Sequence, residues 1–283
     1  MVASSSWTDL GSGIRVRMSA AFQMNSVLLL EREHAVVVDP GILPDELDDL
    51  ARAVESAKPA VVTLVFTHAH WDHVIGRPWW PTARTLAHDR FAAAVKREAP
   101  RILDEIRKLA KQHGATWERG FTPFRPDLEV SGLHFMKLGA WRMVARDAFG
   151  HADHQLSFHL PEQRTLIAAD MLSDVEPPIL NGPLAPYLET LRALRPLAAG
   201  GAITTLIPGH GSIARTREEV SARLERDLDY LERLQAEVAR ARAAGLTLEA
   251  AQERLAGMPF PSPPADGSGH ELHRENVEFA YRG

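Results

Sequence analysis

Cysteine is missing from this sequence altogether, which excludes disulfides, thiolate metal sites and cysteine nucleophiles together. Any metal would have to be held by imidazole and carboxylate. An excess of positive charge is missing too. The 32 Lys and Arg residues stand against 37 Asp and Glu, a net charge of -5, so neither nucleic acid nor an anionic membrane is expected as a partner. Long apolar runs are absent as well. Ser26-Val27-Leu28-Leu29-Leu30 is far too short to span a bilayer and runs into Glu31-Arg32-Glu33. Met1 to Ser6 lack the basic patch and apolar run of a secretory leader, which makes the cytoplasm the expected location.

What is present is the mix of an ordinary globular protein, 45% hydrophobic and 24% charged over 283 residues. That length suffices for one large α/β domain, or a core with a small appendage, and buries roughly three quarters of the extended-chain surface.

Val27 to Leu30 and Ala35 to Val38 read as a hairpin, and Asp39-Pro40-Gly41 breaks its second strand. Pro44 to Ala57 carries Leu47, Leu50, Ala51 and Val54 at the spacing of an amphipathic helix. Val61 to Phe66 is a continuous apolar, β-branched run of the kind buried on both faces. Strand, helix and buried strand together signal a layered α/β fold. Residues 89 to 126 read as helical and then irregular, with Ile102, Ile106 and Leu109 at helical spacing. Leu128 to Leu138, Trp141 to Phe149, Leu156 to Leu160 and Thr165 to Ala169 follow as strands, then a helix over Pro186 to Leu197 and a strand over Ala202 to Ile207. The last seventy residues differ in kind. Val220, Leu224, Leu228, Leu231, Leu234 and Val238 form the seam of a long helix ending near Gly245. A shorter helix starts at Thr247, Pro259 to Gly269 is a linker, and His270 to Tyr281 reads as a final helix.

The chemistry is concentrated in Thr67-His68-Ala69-His70-Trp71-Asp72-His73, at the carboxyl end of the buried strand. Four metal-binding side chains fall within six residues there, and a turn has no packing use for three imidazoles. Neutral imidazole and carboxylate are ligands for zinc and its neighbours, and loops at the carboxyl ends of strands are where α/β proteins place ligands.

His68-Ala69-His70-Trp71-Asp72-His73 resembles the H-x-H-x-D-H signature of the metallo-β-lactamase superfamily. Gly150-His151, Ala168-Ala169-Asp170 and Pro208-Gly209-His210-Gly211 resemble its remaining motifs in order. The resemblance covers roughly residues 15 to 215. It implies an αββα four-layer sandwich over residues 1–213, with residues 214–283 as a helical C-terminal extension packed on it. It also implies two divalent metal ions, zinc first, with manganese or iron as alternatives. His68, His70 and His151 would hold the first and Asp72, His73 and His210 the second, with Asp170 between them and room for a shared hydroxide. Asp72 would also be catalytic, orienting that hydroxide and passing a proton to the leaving group. His154 rivals His151, although the glycine before His151 matches the family. His34, His88, His113, His134, His159, His270 and His273 stand singly and read as ordinary surface or core residues.

The departures narrow the substrate. The absence of cysteine excludes the lactamases that use a cysteine ligand, and Asp170 argues against the other lactamase branches. His70, the complete second ligand set and Ser173 differ from flavodiiron proteins, persulfide dioxygenases and homoserine-lactone lactonases respectively. Leu172 to Pro178 lacks the glutathione-binding pattern of glyoxalase II enzymes. The resemblance is therefore to the dinuclear-metal, glyoxalase II or lactonase-like side of the superfamily in a less specialised form, a hydrolase of an ester, thioester or lactone of a small molecule. Phosphodiester or nucleotide hydrolysis is the second reading, and a non-hydrolytic redox or binding protein the third. Trp71, Trp79, Trp80, Trp117, Phe121 and Phe124 read either as core or as an apolar acyl pocket. The leucine seam of the tail reads either as core or as a homodimer contact.

Overall fold

The computed structural model describes residues 7–283; Met1 to Ser6, read above for a leader, lie outside the described residues. No described helix is long and apolar enough to cross a membrane. The twelve described strands belong to two sheets, accompanied by seven α-helices. The chain divides into two compact units, the first running to Asp147 and including residues 154–163, the second made of residues 148–153 and 164–283.

The first unit opens with β1 (Trp7–Gly11) and β2 (Ile14–Met18), an antiparallel pair that the sequence patterning did not reveal. β3 (Asn25–Leu30) and β4 (His34–Val38) form the expected hairpin, Leu30 opposite Ala35. Helix α1 (Pro44–Ala57) begins where proline at its first turn presets φ, buries Leu47, Leu50 and Val54, and stops at the left-handed Lys58. β5 (Val61–Val65) returns parallel to β4, with Val38 beside Val65. The one-turn helix α2 (Trp71–Val74) follows, then β6 (Arg84–His88), which pairs parallel to β5. Helix α3 (Phe91–Gln112) buries Ile102, Ile106 and Leu109, as the spacing predicts. Its residues pack with α1 and with Leu28, Val37, Leu64 and Phe66 in one core cluster.

The single strand expected over Leu128 to Leu138 is in fact two. β7 (Leu128–Val130) pairs parallel to β6, whereas β8 (Leu133–Leu138) pairs antiparallel to β9 (Trp141–Asp147). The break falls at Gly132, which takes a left-handed φ of 70° that a side chain resists. β10 (Leu156–Leu160) adds antiparallel to β9.

In the second unit β11 (Thr165–Ile167) and β12 (Thr205–Ile207) are parallel neighbours, with helix α4 (Leu184–Ala199) between them in sequence. Both strands are shorter than the sequence patterning predicts. Helix α5 (Arg217–Ala243) starts at a capping box in which the Thr216 hydroxyl and the Glu219 carboxylate each accept from the other's backbone N–H. Its seam from Val220 to Val238 is buried with Leu188, Leu191 and Leu194 of α4, so these leucines are core. Helices α6 (Leu248–Leu255) and α7 (Gly269–Arg282) complete the unit, and Leu255 and Val277 join the same core.

Candidate metal centre

In the first unit the site grows from the carboxyl ends of β4 and β5. Because these strands are parallel and in register at Val38 and Val65, the residues that follow them emerge side by side. Asp39 N–H donates to the Val65 carbonyl at 2.9 Å, and the backbone of Asp39 turns left-handed there (φ 48°). The turn delivers the Asp39 carboxylate to the start of the histidine loop. It accepts from the Thr67 backbone N–H (2.7 Å), the Thr67 hydroxyl (2.6 Å) and His73 Nδ1 (2.9 Å). Gly41, two residues on, lies so close to the Asp72 carbonyl that any Cβ would collide with it. The peptide after β4 thus supports both the side chain of His73 and the backbone of Asp72.

These bonds select tautomers. The Thr67 hydroxyl gives its proton to Asp39, so toward His68 Nδ1, 3.0 Å away, its oxygen acts as the acceptor. His68 therefore carries its proton on Nδ1 and a lone pair on Nε2, and the Asp39 bond does the same for His73. His68 Nε2 stands 3.0 Å from His70 Nδ1, and His73 Nε2 stands 3.6 Å from an Asp72 carboxylate oxygen. His68 and His73 are fully buried, Asp72 is nearly so, and His70 is half-buried. The first unit thus brings together all four residues of the H-x-H-x-D-H motif. His154 is buried in the same unit, its ring centre 6.5 Å from that of His68 and 6.4 Å from that of His70.

The second unit assembles the other three. Ile167 of β11 lies opposite Ile207 of β12, so Asp170 and His210, each three residues further on, leave the strands together. An Asp170 oxygen lies 3.6 Å from His210 Nε2 and 3.3 Å from His151 Nε2. Gly209 is required here, since a Cβ on it would strike Asp170 Oδ1. Tyr187 of α4 donates its hydroxyl to the Asp170 carbonyl (3.3 Å), and burial pushes its phenol pKa far above the ordinary value, so it remains a donor. Gly150 takes a φ of 133° against Tyr187, where a Cβ would meet the ring. This sets the backbone of His151, whose Nδ1 donates to the Ile179 carbonyl (3.2 Å) and leaves its lone pair on Nε2.

The donor chemistry fits divalent cations. Each unit gathers His and Asp side chains of the kind that could hold a divalent metal ion, and three of the histidines are already in the tautomer that carries the lone pair on Nε2. Cations of the zinc type take such imidazole and carboxylate sets.

Asp39 and Thr67 are the functional residues that sequence reasoning missed, because Asp39-Pro40-Gly41 has the form of a plain turn. The signal was positional, an aspartate closing the strand that pairs with the histidine-bearing one. His34 bonds the Thr63 hydroxyl and His273 bonds Tyr230. His88 is buried beside Asp89 and Asp147 with its pKa lowered by that burial, and His113, His134 and His270 are exposed. Trp71, Trp79, Trp80, Trp117, Phe121 and Phe124 all belong to or pack on the core of the first unit.

The sequence pattern of the metallo-beta-lactamase superfamily matches residues 20–218. The chain belongs to that superfamily. Its two sheets and seven helices are consistent with the metallo-beta-lactamase fold. Superfamily members are mostly hydrolytic enzymes that bind divalent metals. Among solved structures, an inverting sec-alkylsulfatase from Pseudomonas sp. is 15% identical over 98% of this chain and 50% of its own, with a TM-score of 0.73. The chain therefore spans about half the length of that enzyme. A metallo-beta-lactamase family protein of Thermus thermophilus is 22% identical, with 96% and 91% of the two chains covered and a TM-score of 0.61. A beta-lactamase domain protein from Burkholderia ambifaria is 16% identical, with 99% and 88% covered and a TM-score of 0.63. No curated protein matches the chain.

Proposed function

We propose that this protein is a metal-dependent hydrolase of a small-molecule ester, thioester or lactone. His68, His70 and His151 would hold one divalent ion, zinc in the first instance, and Asp72, His73 and His210 the second, with Asp170 serving both. The observation that carries the reading is the fixed tautomer of His68, His73 and His151, each with Nδ1 given to a protein acceptor and the lone pair on Nε2. Two divalent ions in that setting supply a water acidic enough to act as a nucleophile at neutral pH and neutralise charge building on the substrate oxygen.

The side chains divide the remaining work. Asp39 orients His73 directly and His68 through Thr67. Asp72 holds the proton released by the attacking water and passes it to the leaving group. Tyr187 and Gly209 fix the main chain and carboxylate of Asp170. The sec-alkylsulfatase likeness brings sulfate esters into the range of substrates to be compared.

The test combines metal analysis of the purified protein with a panel of acyl ester, thioester, lactone, phosphodiester and sulfate ester substrates. Two equivalents of zinc, with turnover confined to the acyl compounds, are expected. Turnover of bis-(p-nitrophenyl) phosphate or of an alkyl sulfate without acyl turnover would replace the substrate class, and full activity after exhaustive chelation would overturn the reading.

A further inference from the structure

The C-terminal helix ends a buried polar chain that leads, bond by bond, to His151. Asn276 of α7 is fully buried. Its amide donates to the Pro178 carbonyl (2.6 Å) and to the Tyr230 hydroxyl (3.0 Å), while its oxygen accepts from the Leu180 backbone N–H (2.8 Å). It therefore grips the peptide on both sides of Ile179, the residue whose carbonyl accepts from His151 Nδ1. The far end of Asn276 is also set. His273 Nε2 donates to the Leu255 carbonyl (2.9 Å), leaving Nδ1 to accept from the Tyr230 hydroxyl (2.9 Å), whose oxygen in turn accepts from Asn276. Donors and acceptors in the chain are matched in one direction, which forbids Asn276 from rotating its amide without losing bonds at both ends.

The geometry points to Asn276 as a positioning residue that fixes the ring orientation and tautomer of His151 from 125 positions away in sequence (276 − 151). Ile179 is held by no helix or strand of its own. A carbonyl on such a segment keeps its direction only if its flanking peptides are tied, and Asn276 ties both. The Asn181 N–H reaching the Gly150 carbonyl at 3.4 Å is a weaker fastening between the same two segments. The consequence for metal binding rests on the reading of His151 as a ligand, in which outer partners of a ligating histidine are worth about 10–100-fold in affinity.

The experiment uses the full chain, metal-free and zinc-loaded, with 15N in the histidine rings; the His151 signal is assigned by its loss in His151→Gln. In the metal-free wild type His151 is expected to report a proton on Nδ1. In Asn276→Ala that proton should redistribute between the two ring nitrogens, and chelator competition should show one of two zinc ions held roughly 10–100-fold more weakly, the other unchanged. If the alanine variant does not fold, Asn276→Asp keeps the acceptor for Leu180 and loses both donors, and the same redistribution is expected. A His151 ring that keeps its Nδ1 proton in a folded Asn276 variant overturns the proposal. A tautomer change in a protein whose wild type takes up no zinc would uphold the positioning role while ending the dinuclear reading.

Discussion

The Asp39 carboxylate lies 2.9 Å from His73 Nδ1 and also accepts two bonds from Thr67, so one buried acid sets two histidines of the H-x-H-x-D-H loop. Asp39→Ala removes the acceptor for three buried donors at once. Metal affinity should drop about 10–100-fold, and each donor left without its partner costs about 1–3 kcal/mol of stability. Zinc competition with a chromophoric chelator and thermal melting measure the two effects. An Asp39→Ala protein that holds both ions as tightly as wild type would refute this role.

Gly209 gives a sharper probe of Asp170. The backbone of Gly209 is not left-handed, so alanine is tolerated there conformationally, and the severe clash of its Cβ is with Asp170 Oδ1, with a milder one against the Ala169 backbone. Gly209→Ala should displace the carboxylate, reduce bound metal below two equivalents and lower kcat, with a stability loss of about 1–3 kcal/mol typical of overpacking. Metal content by mass spectrometry, with the melting temperature as control, decides the matter. Two tightly bound ions and an unchanged kcat would contradict it.

Burial raises the carboxyl of Asp227, on α5, to about 6, opposed by Arg226 beside it. The unfolded chain loses this proton near pH 4, whereas the folded chain keeps it until near pH 6. Between those values the native state binds more protons, so this group lowers stability as pH rises, and its effect is level above about pH 6.5. Asp227→Asn lacks the dependence. Its stability relative to wild type should therefore climb by on the order of 2–3 kcal/mol from about pH 4 to 6.5. Urea unfolding across that range tests the sign; a relative stability that falls with pH would reverse the assignment.

Removal of metal should spare the fold. The two core clusters contain buried apolar side chains drawn from every helix, so an apo protein retains its driving force. Chelation is expected to abolish activity and lower the melting temperature while leaving circular dichroism at 25 °C intact, because an ion at a thousand times its Kd adds about 4 kcal/mol. Loss of helical signal on chelation at 25 °C would show that metal and folding are inseparable.

The sequence made the first half of the site readable because His68, His70, Asp72 and His73 are contiguous, and the strand before them is unbroken. Helix α1 was legible to the residue, since Pro44 marks its start and Leu47, Leu50 and Val54 its buried face. Other elements carry no local signal. Arg84–His88 holds no β-branched run and is a strand because its neighbours β5 and β7 pair with it on both sides. The pair β1 and β2 alternates weakly, and the break at Gly132 hides inside an apolar stretch. Asp39 escaped for a different reason: its role depends on the register of two strands, which pairing alone determines.

The matched three-residue spacing from Ile167 to Asp170 and from Ile207 to His210 has a bearing on how this half of the site tolerates change. Deleting one residue from either arm would put Asp170 and His210 out of step and break their approach at 3.6 Å. Divergence at these two strand ends is thereby confined to exchanging one side chain for another, while additions and deletions are left to places such as the turn between Leu160 and Thr165.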